Sequence, residues 1–269
     1  MPENFYKVGE VMGNILVTFE DEIGTVTLNR PPANALSTEL LSELSTVLDE
    51  LETNEQVKVI IMQGEGRFFA AGADIKEFTT IENGAKFTEF ARNGQRLFDR
   101  IEKFPKPIIA AIHGAALGGG LELAMACHIR LATDDAKLGL PELQLGLIPG
   151  YAGSQRLPRL VGLTKATEML LTSEPITGSE AVSLGLINYS YTEQSLMIEE
   201  AKKLASKIAE KSAVSIRLSL ELLTYVKDAN FSSGVEKEAE SFGVAFDSHD
   251  GQEGIQAFIE KRKPNFNNR

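Results

Sequence analysis

Two stretches of the sequence repeat one order of elements, and this repetition constrains the fold more than any other feature. Residues 57–63 predict an apolar strand that ends at Gly64, followed by the small-residue loop EGRFFAAGAD and a helix from about residue 82 to residue 101. Residues 107–112 predict a second apolar strand that ends at Gly114, followed by AALGGG and the helix LELAMAC. Strands that are apolar along their whole length are covered on both faces, so the pattern predicts an α/β fold.

The segment before these two units is predicted to contribute two strands and a helix. Residues 14–20 and 25–29 are patterned as β-strands on either side of a turn. Ser37 is a suitable N-cap for a helix that ends near Thr53, whose apolar residues recur at helical spacing. The opposite face of this helix is acidic, which indicates a solvated surface.

The chain changes from mixed α/β to mostly helical after Thr177. Thr177 and Glu180 have the spacing of a capping box, which marks the start of a helix. Four amphipathic segments follow, near residues 194–210, 213–227, 232–247 and 251–262. We therefore predict a core at residues 1–192 and an all-helical region at residues 193–269.

Charge and cysteine content narrow the function classes. The chain has 27 basic and 38 acidic residues and a formal net charge of −11, which argues against broad binding to nucleic acid or to a membrane surface. Its single cysteine, Cys127, excludes an internal disulfide and fits a reducing compartment. We find no secretory or transit signal, and the uncharged run between Lys106 and Glu122 is too short to span a bilayer. We therefore expect a cytoplasmic protein with no membrane or nucleic-acid partner.

Several common cofactor and nucleophile motifs are absent from the sequence. The glycine run at residues 118–120 does not continue as G-x-G-x-x-G, because position 123 is leucine, and no P-loop pattern occurs. The three histidines have no metal-ligand spacing, and Ser154 does not lie in a G-x-S-x-G nucleophile elbow. A dinucleotide enzyme, a metal enzyme and a serine hydrolase are therefore poorly supported, and we predict no metal site.

Glu122 is the most unusual residue of the second unit. If the helix begins in the glycine run, the N–H of Gly119 has no intrahelical acceptor, and Glu122 lies one turn further along the same face. A carboxylate among apolar helical neighbours costs free energy unless it has a partner or a catalytic role. Two interpretations stay open here: catalysis, or an ion pair with a distant arginine such as Arg130 or Arg156.

Two further positions could complete a site with Glu122. Glu142 follows a proline in the apolar stretch GLPELQLGLIPG, where it is either an exposed loop residue or a second carboxylate for acid–base work. The small residues around Ala73 would let its N–H face a ligand, and with the N–H of Gly119 it would form an oxyanion hole. Plain helix–strand packing is the alternative for these small residues, and the spacing alone does not place the groups together.

Three stretches of the chain carry a resemblance to a known family: FFAAGADIKEF, AAIHGAALGGGLELAMACHIRLA and LGLPELQLGLIPGYAGSQRLPRLVG. Together with the ending SFGVAFDSHDGQEGIQAFIEKRKPNF, they strongly resemble the crotonase superfamily, specifically the enoyl-CoA hydratases. The resemblance extends from about residue 14 to residue 266. It implies a crotonase-like spiral of repeated ββα units with an all-helical C-terminal trimerisation region, and a homo-oligomer that is a trimer or a dimer of trimers.

The resemblance also implies a reaction and the residues for it. The N–H groups of Ala73 and Gly119 would bind the oxygen of an acyl-CoA thioester, and Glu122 and Glu142 would hold the reacting water between them. Water would add across the 2,3 double bond of a trans-2-enoyl-CoA to give a 3-hydroxyacyl-CoA, a reaction of the fatty-acid β-oxidation type. Glu122 is the predicted base and Glu142 the predicted proton donor to C2. Coenzyme A would enter as part of the substrate, so no cofactor is expected.

Further positions are implied by the resemblance to contact coenzyme A. They are Ala71, Asp74, Ile75, Phe258 and Lys261, the last two often from a neighbouring subunit. Lys261 begins the densest basic cluster of the chain, which is either a partner for phosphates or a solvated tail. Residues 30–36 depart from the family pattern R-P-x-x-x-N-A-L, because the stretch is shorter and lacks a basic residue inside the gap.

Two alternative functions stay open. A Δ3,Δ2-enoyl-CoA isomerase on the same scaffold needs only one proton shuttle, and family members with a single glutamate tend toward reactions other than hydration. A non-catalytic or RNA-binding homologue would carry a lysine-rich first helix, whereas the first helix here is acidic and the net charge is −11. The presence of both Glu122 and Glu142 favours the hydratase.

Overall fold

The computed structural model describes residues 10–227 and 231–267. Its strands are β1 (Glu10–Met12), β2 (Ile15–Glu20), β3 (Ile23–Leu28), β4 (Val59–Gly64), β5 (Ile108–Ile112), β6 (Ala115–Leu117), β7 (Ile129–Thr133), β8 (Lys137–Gly139), β9 (Ile176–Thr177) and β10 (Tyr189–Tyr191). Its helices are α1 (Thr38–Thr53), α2 (Ile75–Phe78), α3 (Gly84–Glu102), α4 (Gly119–Ala126), α5 (Gly153–Thr172), α6 (Gly178–Ser183), α7 (Gln194–Ala209), α8 (Ala213–Lys227), α9 (Phe231–Asp247) and α10 (His249–Glu260). A 3₁₀ turn at Glu142–Leu145 lies between β8 and α5.

A seven-stranded sheet forms the centre of the described chain, in the order β1-β2-β3-β4-β5-β7-β10. The first three strands pair antiparallel, and the pairs from β3 to β10 are parallel. A second sheet of the described residues has the order β6-β8-β9. The apolar strands of the two repeated units are β4 and β5, which are parallel neighbours with Ile60 opposite Ile108. The predicted α/β fold is therefore confirmed.

Strand β4 shows why its first four residues, 59–62, are all apolar. Ile60 and Met62 are buried in the larger core cluster, which also contains Phe98 of α3. Val59 and Ile61 point to the other face, where they lie in a second cluster that includes residues of α7. Because helices cover the sheet on both faces, these four side chains are buried whichever face they point to.

Most of the predicted helices are present, with small changes at their ends. The hydroxyl of Ser37 accepts a hydrogen bond from the Leu40 N–H at 3.2 Å and so caps α1 as expected. Helix α3 begins at Gly84 rather than near residue 82, because Asn83 supplies the N-cap. Helix α2 was not predicted from the sequence, since it spans four residues and has no room for a periodic pattern.

The C-terminal part of the described chain is helical, as predicted. Helices α7 to α10 correspond to the four amphipathic segments, and the capping box of Thr177 and Glu180 opens α6. The division of the chain at residues 192 and 193 stays a prediction. Lys58, which is buried beside the sheet, donates a hydrogen bond to the Ala209 carbonyl at 2.9 Å and ties the end of α7 to the core.

The loops of the two repeated units lie side by side at one end of the sheet. The Ala70 N–H donates to the Ala115 carbonyl at 3.2 Å, and the Leu117 N–H donates to the Ala70 carbonyl at 3.1 Å. Asn34 holds the first loop in place, because its side-chain amide donates a hydrogen bond to the Phe68 carbonyl at 2.8 Å. The loop after β4 and the glycine run before α4 are thereby held in contact.

Candidate active site

A cavity of about 180 Å³ opens where these two loops meet. Its lining residues come from the loop after β4, from α2 and α3, from the start of α4 and from residues 141–151. Six of the residues singled out in the sequence line it together: Ala71, Ala73, Ile75, Gly119, Glu122 and Glu142. The fold therefore brings the two loops and both glutamates to one place, which the spacing of the residues alone did not establish.

Two backbone N–H groups at this cavity are free to bind a ligand. No group within residues 10–227 and 231–267 accepts a hydrogen bond from the N–H of Ala73 or of Gly119. The two groups are close to each other. A Cβ atom placed on Gly119 would lie only 3.4 Å from the Ala73 nitrogen. Gly118, with a φ of +50°, turns the chain so that Gly119 can begin α4 at the cavity. Two adjacent unpaired N–H groups in a cavity lined largely by apolar side chains are suited to stabilising an oxyanion.

Glu122 is buried on a helix whose residues are all buried, and it is held by backbone groups. Its Oε1 accepts hydrogen bonds from the N–H of Tyr151 at 2.8 Å and of Gly153 at 2.7 Å. Burial, together with the nearby charge of Glu142, raises the pKa of Glu122 to about 7, although the two N–H donors oppose this rise. Oε2 accepts no hydrogen bond from any described residue and is available for a water or a substrate.

The alternative interpretation of Glu122, an ion pair with an arginine, is wrong. Arg156 pairs with Asp99 at 2.7 Å and with Glu102 at 3.0 Å, both on α3. Arg130 donates to backbone carbonyls, including that of Cys127 at 2.6 Å. The charge of Arg156 acts on Glu122 only from a distance, where it lowers the pKa slightly against the larger effect of burial.

The residues that hold Glu122 were not found from the sequence. Tyr151 and Gly153 flank Ala152, whose φ of 69° puts it in the left-handed region just before α5. This turn directs the N–H groups on both sides of Ala152 toward one carboxylate oxygen. The absence of a side chain at Gly153 also matters here, because a Cβ at this position would lie 2.8 Å from Oε1 of Glu122. The glycines of the stretch GYAG are the signal that could have indicated this close approach.

Glu142 lies on the 3₁₀ turn and is held less firmly than Glu122. The turn is bounded by Pro141 and by Gly146, which has a φ of 70°. Oε1 of Glu142 faces the start of α4. A Cβ atom placed on Gly118 would lie 3.0 Å from this oxygen. Its Oε2 is buried and has no hydrogen-bond partner among the described residues. Partial burial raises the pKa of Glu142, although a hydrogen bond from its own backbone N–H opposes this rise.

The positions implied to bind coenzyme A do not all lie at the cavity. Ala71 and Ile75 are exposed at the rim of the cavity. The Asp74 carboxylate instead caps α2 by accepting from the Lys76 N–H, and it pairs with Arg30 at 2.6 Å. Lys261 is exposed just after the end of α10 and is not among the residues that line the cavity. Phe258 belongs to α10, but its side chain lies outside the described residues.

Aromatic side chains form the apolar part of the cavity wall. Phe78 of α2 packs edge-on against Phe87 and Phe90 of α3, with ring centroids 4.9 and 5.6 Å apart. Tyr151 lies beyond them, 6.2 Å from Phe90 and 5.2 Å from Phe98 between ring centroids. None of these residues was predicted for the site, because their meeting depends on how α3 packs on the loop before α5.

The described residues have neither a cluster of metal ligands nor a helix that could cross a membrane. They contain no group of three or more histidine, cysteine, aspartate or glutamate side chains placed to hold a metal ion. No helix in residues 10–227 and 231–267 is both long enough and apolar enough to cross a membrane.

An α/β core with two free N–H groups and two carboxylates at one cavity defines a site for acid–base chemistry on a ligand that develops an oxyanion. Comparisons with known proteins agree with this class. Residues 18–269 match the model of the enoyl-CoA hydratase/isomerase family, so the chain belongs to that family.

Individual relatives support the same assignment. The chain is 56% identical over 255 residues to a probable enoyl-CoA hydratase of Bacillus subtilis, covering 95% of this chain and 99% of that protein. It is 40% identical to a short-chain-enoyl-CoA hydratase of Clostridium acetobutylicum, covering 94% and 97%. The crystal structure of an enoyl-CoA hydratase from Bacillus anthracis is similar with a TM-score of 0.90 at 36% identity, covering 95% of this chain and 100% of that chain. The crotonase fold implied by the resemblance is confirmed.

Proposed function

We propose that this protein is an enoyl-CoA hydratase, a hydro-lyase that adds water across the 2,3 double bond of a trans-2-enoyl-CoA. The observation that carries the proposal is the shared cavity of Glu122, Glu142 and the free N–H groups of Ala73 and Gly119. The relatives named above as hydratases match nearly the whole chain. Coenzyme A enters and leaves as part of the substrate and product, so the proposed reaction needs no metal or redox cofactor.

The thioester carbonyl is proposed to sit against the two free N–H groups. When an oxygen adds at C3, negative charge moves to the thioester oxygen as an enolate-like species. The N–H groups of Ala73 and Gly119 stabilise that charge without rearrangement, because they are already fixed by the loop contacts and the start of α4. Loss of one such donor typically costs about 3 kcal/mol of transition-state stabilisation.

The two glutamates are proposed to divide the proton transfers. Ionised Glu122 takes a proton from the water as its oxygen bonds to C3, and protonated Glu142 delivers a proton to C2. One water is consumed, and the site returns to its starting state when the proton on Glu122 replaces the one given up by Glu142. Burial raises the pKa of both groups, and two neighbouring carboxylates do not ionise together readily, so the pair can carry the one proton that this division requires.

The test follows the loss of the conjugated enoyl-thioester absorbance when purified protein meets crotonyl-CoA. Wild-type protein should hydrate the substrate, and Glu122→Gln and Glu142→Gln should lose this activity. Glu39→Gln, which changes an exposed glutamate of α1, is the matched control and should behave as wild type. Folded protein with no activity on crotonyl-CoA or on longer trans-2-enoyl-CoA substrates would overturn the proposal. Activity on a 3-enoyl-CoA alone would favour the isomerase instead.

We also propose that the chain assembles into a homotrimer or a dimer of trimers, in the cytoplasm. Large apolar side chains are exposed on the last three helices, as on Val226 at 70%, Phe242 at 76% and Ile259 at 67%. Exposed apolar surface of this kind favours association. Sedimentation of the purified protein should give the mass of three or six chains, and a monomer at micromolar concentration would contradict the assembly.

The proposed coenzyme A contacts of Phe258 and Lys261 go with this assembly. Lys261 does not line the cavity of its own chain, and a site completed by a neighbouring subunit would explain that position. Lys261→Ala should raise the KM for crotonyl-CoA with little change in kcat, whereas an unchanged KM would leave Lys261 as part of a solvated tail.

A further inference from the structure

A second cavity lies beside the proposed reaction cavity and shares a lining aromatic residue with it. This second cavity has a volume of about 410 Å³ and is lined by residues of α1 and α3, including Leu41, Gly94 and Leu97. Phe90 lines both cavities, so its side chain forms part of the partition between them. The reaction cavity, at about 180 Å³, is smaller than the roughly 300–1,000 Å³ of typical small-molecule pockets.

Tyr151 completes this partition. Its ring is clamped between two helices, because a Cβ on Gly94 of α3 would overlap the ring and a Cβ on Gly119 of α4 would lie 3.2 Å from it. The residue is 3% exposed, and its ring covers Gly94, which lines the second cavity on the opposite side. Phe98 supports the ring edge-on at 5.2 Å between centroids. A ring held on three sides cannot rotate away to admit a ligand.

The hydroxyl of Tyr151 plays no part in this contact. It is buried without a hydrogen-bond partner among the described residues, and burial raises the pKa of Tyr151 well above its usual range. The aromatic face of Tyr151 is therefore the part of the side chain that shapes the cavity. A buried hydroxyl with no partner gives the position no polar reason to be tyrosine rather than phenylalanine.

We infer that Phe90 and Tyr151 form a wall that limits the enzyme to short acyl chains, and that the second cavity would receive a longer acyl tail if the wall were removed. The inference rests on the proposed hydratase function and adds the substrate class of that site. It follows from volume and position: an acyl chain that enters past the free N–H groups meets the two rings before it reaches the space between α1 and α3. An extension that a rigid wall excludes costs about tenfold or more in kcat/KM.

The test compares kcat/KM for crotonyl-, hexenoyl-, octenoyl- and decenoyl-CoA in wild type and variants. Wild type should lose about tenfold or more between the shortest and the longer substrates. Phe90→Ala should raise kcat/KM for octenoyl-CoA relative to crotonyl-CoA by about tenfold or more, because it joins the two cavities. Tyr151→Ala should act in the same direction, and Tyr151→Phe should keep the wild-type order of substrates.

Two controls separate the wall from general loosening of the site. Leu41→Ala enlarges the second cavity alone and should keep the wild-type order of substrates. Phe87→Ala enlarges the reaction cavity without touching the second one, so it should not extend the range to decenoyl-CoA. If Phe90→Ala fails to fold, as judged by circular dichroism and thermal melting, Phe90→Leu opens the same partition with a smaller loss of volume.

The outcomes distinguish this inference from the proposed function. Hydration of all four substrates at equal kcat/KM by wild type would overturn the wall and leave the hydratase function intact. A wild-type preference for crotonyl-CoA that survives in both Phe90→Ala and Tyr151→Ala would also overturn it. Lack of hydration of any substrate would remove the proposed function itself.

Discussion

Glu122 and Glu142 are the same residue type at one cavity, yet the protein holds them by different means. Glu122 lies in the middle of a fully buried helix, and two backbone N–H groups bind its Oε1 at 2.7 and 2.8 Å. Glu142 lies on a short 3₁₀ turn, and its Oε2 is buried without a partner among the described residues. Two N–H groups of a separate segment position the first carboxylate, whereas only the N–H of its own residue acts on the second.

This difference matches the two tasks proposed for the residues. A base must keep its ionised form in a buried place, and two N–H donors favour the ionised form of Glu122 against the cost of burial. Burial raises the pKa of Glu142 as well, and a hydrogen bond from its own backbone N–H opposes this rise. The two donors from a separate segment are therefore the feature that distinguishes the proposed base from the proposed acid.

The largest effect is expected from removing the two carboxylates separately and together. Glu122→Gln and Glu142→Gln should each lower kcat on crotonyl-CoA by about 10²- to 10⁴-fold, as for general acid–base residues. Because the two groups are proposed to act on one water, the double variant should be little worse than the poorer single variant. Steady-state kinetics measure this, and a double variant that loses the full product of the two effects would show that the glutamates act independently.

A smaller loss is expected from disturbing the backbone support of Glu122. In Gly153→Ala the added Cβ would lie 2.8 Å from Oε1, so the carboxylate must shift by a few tenths of an ångström or more. Misplacement of a reacting group by about 1 Å can cost about 10²-fold in rate, which sets the upper range of the expected fall in kcat. Gly84→Ala is the control, since a Cβ there meets nothing within 4 Å. Equal activity of the two variants would argue against positioning by Gly153.

The pH dependence of the reaction should report the ionisation of Glu122. Since Glu122 is proposed to act when ionised and its pKa is about 7, kcat/KM should fall by about tenfold per pH unit below that value. Burial is the largest cause of the raised pKa, so the residual activity of Glu142→Gln should also fall well above the ordinary pKa of a glutamate. A pH–rate profile with an acid limb near that ordinary pKa in both proteins would contradict the raised pKa of Glu122.

The smallest effect concerns stability rather than rate. Burial raises the pKa of Glu122 in the folded state from 4.5 to about 7, so wild type loses stability as the pH rises through that window. Glutamine avoids the cost and can still accept from the N–H groups of Tyr151 and Gly153 through its side-chain oxygen. Glu122→Gln should therefore melt a few degrees higher than wild type at pH 8, with the advantage gone at pH 4. Calorimetry that shows no pH-dependent difference would contradict the raised pKa.

The buried carboxylate of α4 could be predicted from the sequence, and its support could not. The apolar neighbours of Glu122 and the glycines before it are visible in the sequence because they follow helical spacing and turn chemistry. The donors on Tyr151 and Gly153 depend on the left-handed conformation of Ala152, and alanine gives no sign of such a conformation. The wall of Phe90 and Tyr151 depends on the close packing of α3, which only the tertiary structure brings about.

Tyr151 uses different atoms for different purposes. Its N–H binds Glu122 and its carbonyl accepts a hydrogen bond from Arg156 at 2.8 Å, whereas its ring borders the reaction cavity. The two backbone interactions are independent of which side chain the position carries. On the inference above, a substitution of this one side chain changes the range of acyl chains while the backbone groups that hold Glu122 are retained. The range of substrates and the orientation of the proposed base can therefore change independently at this position.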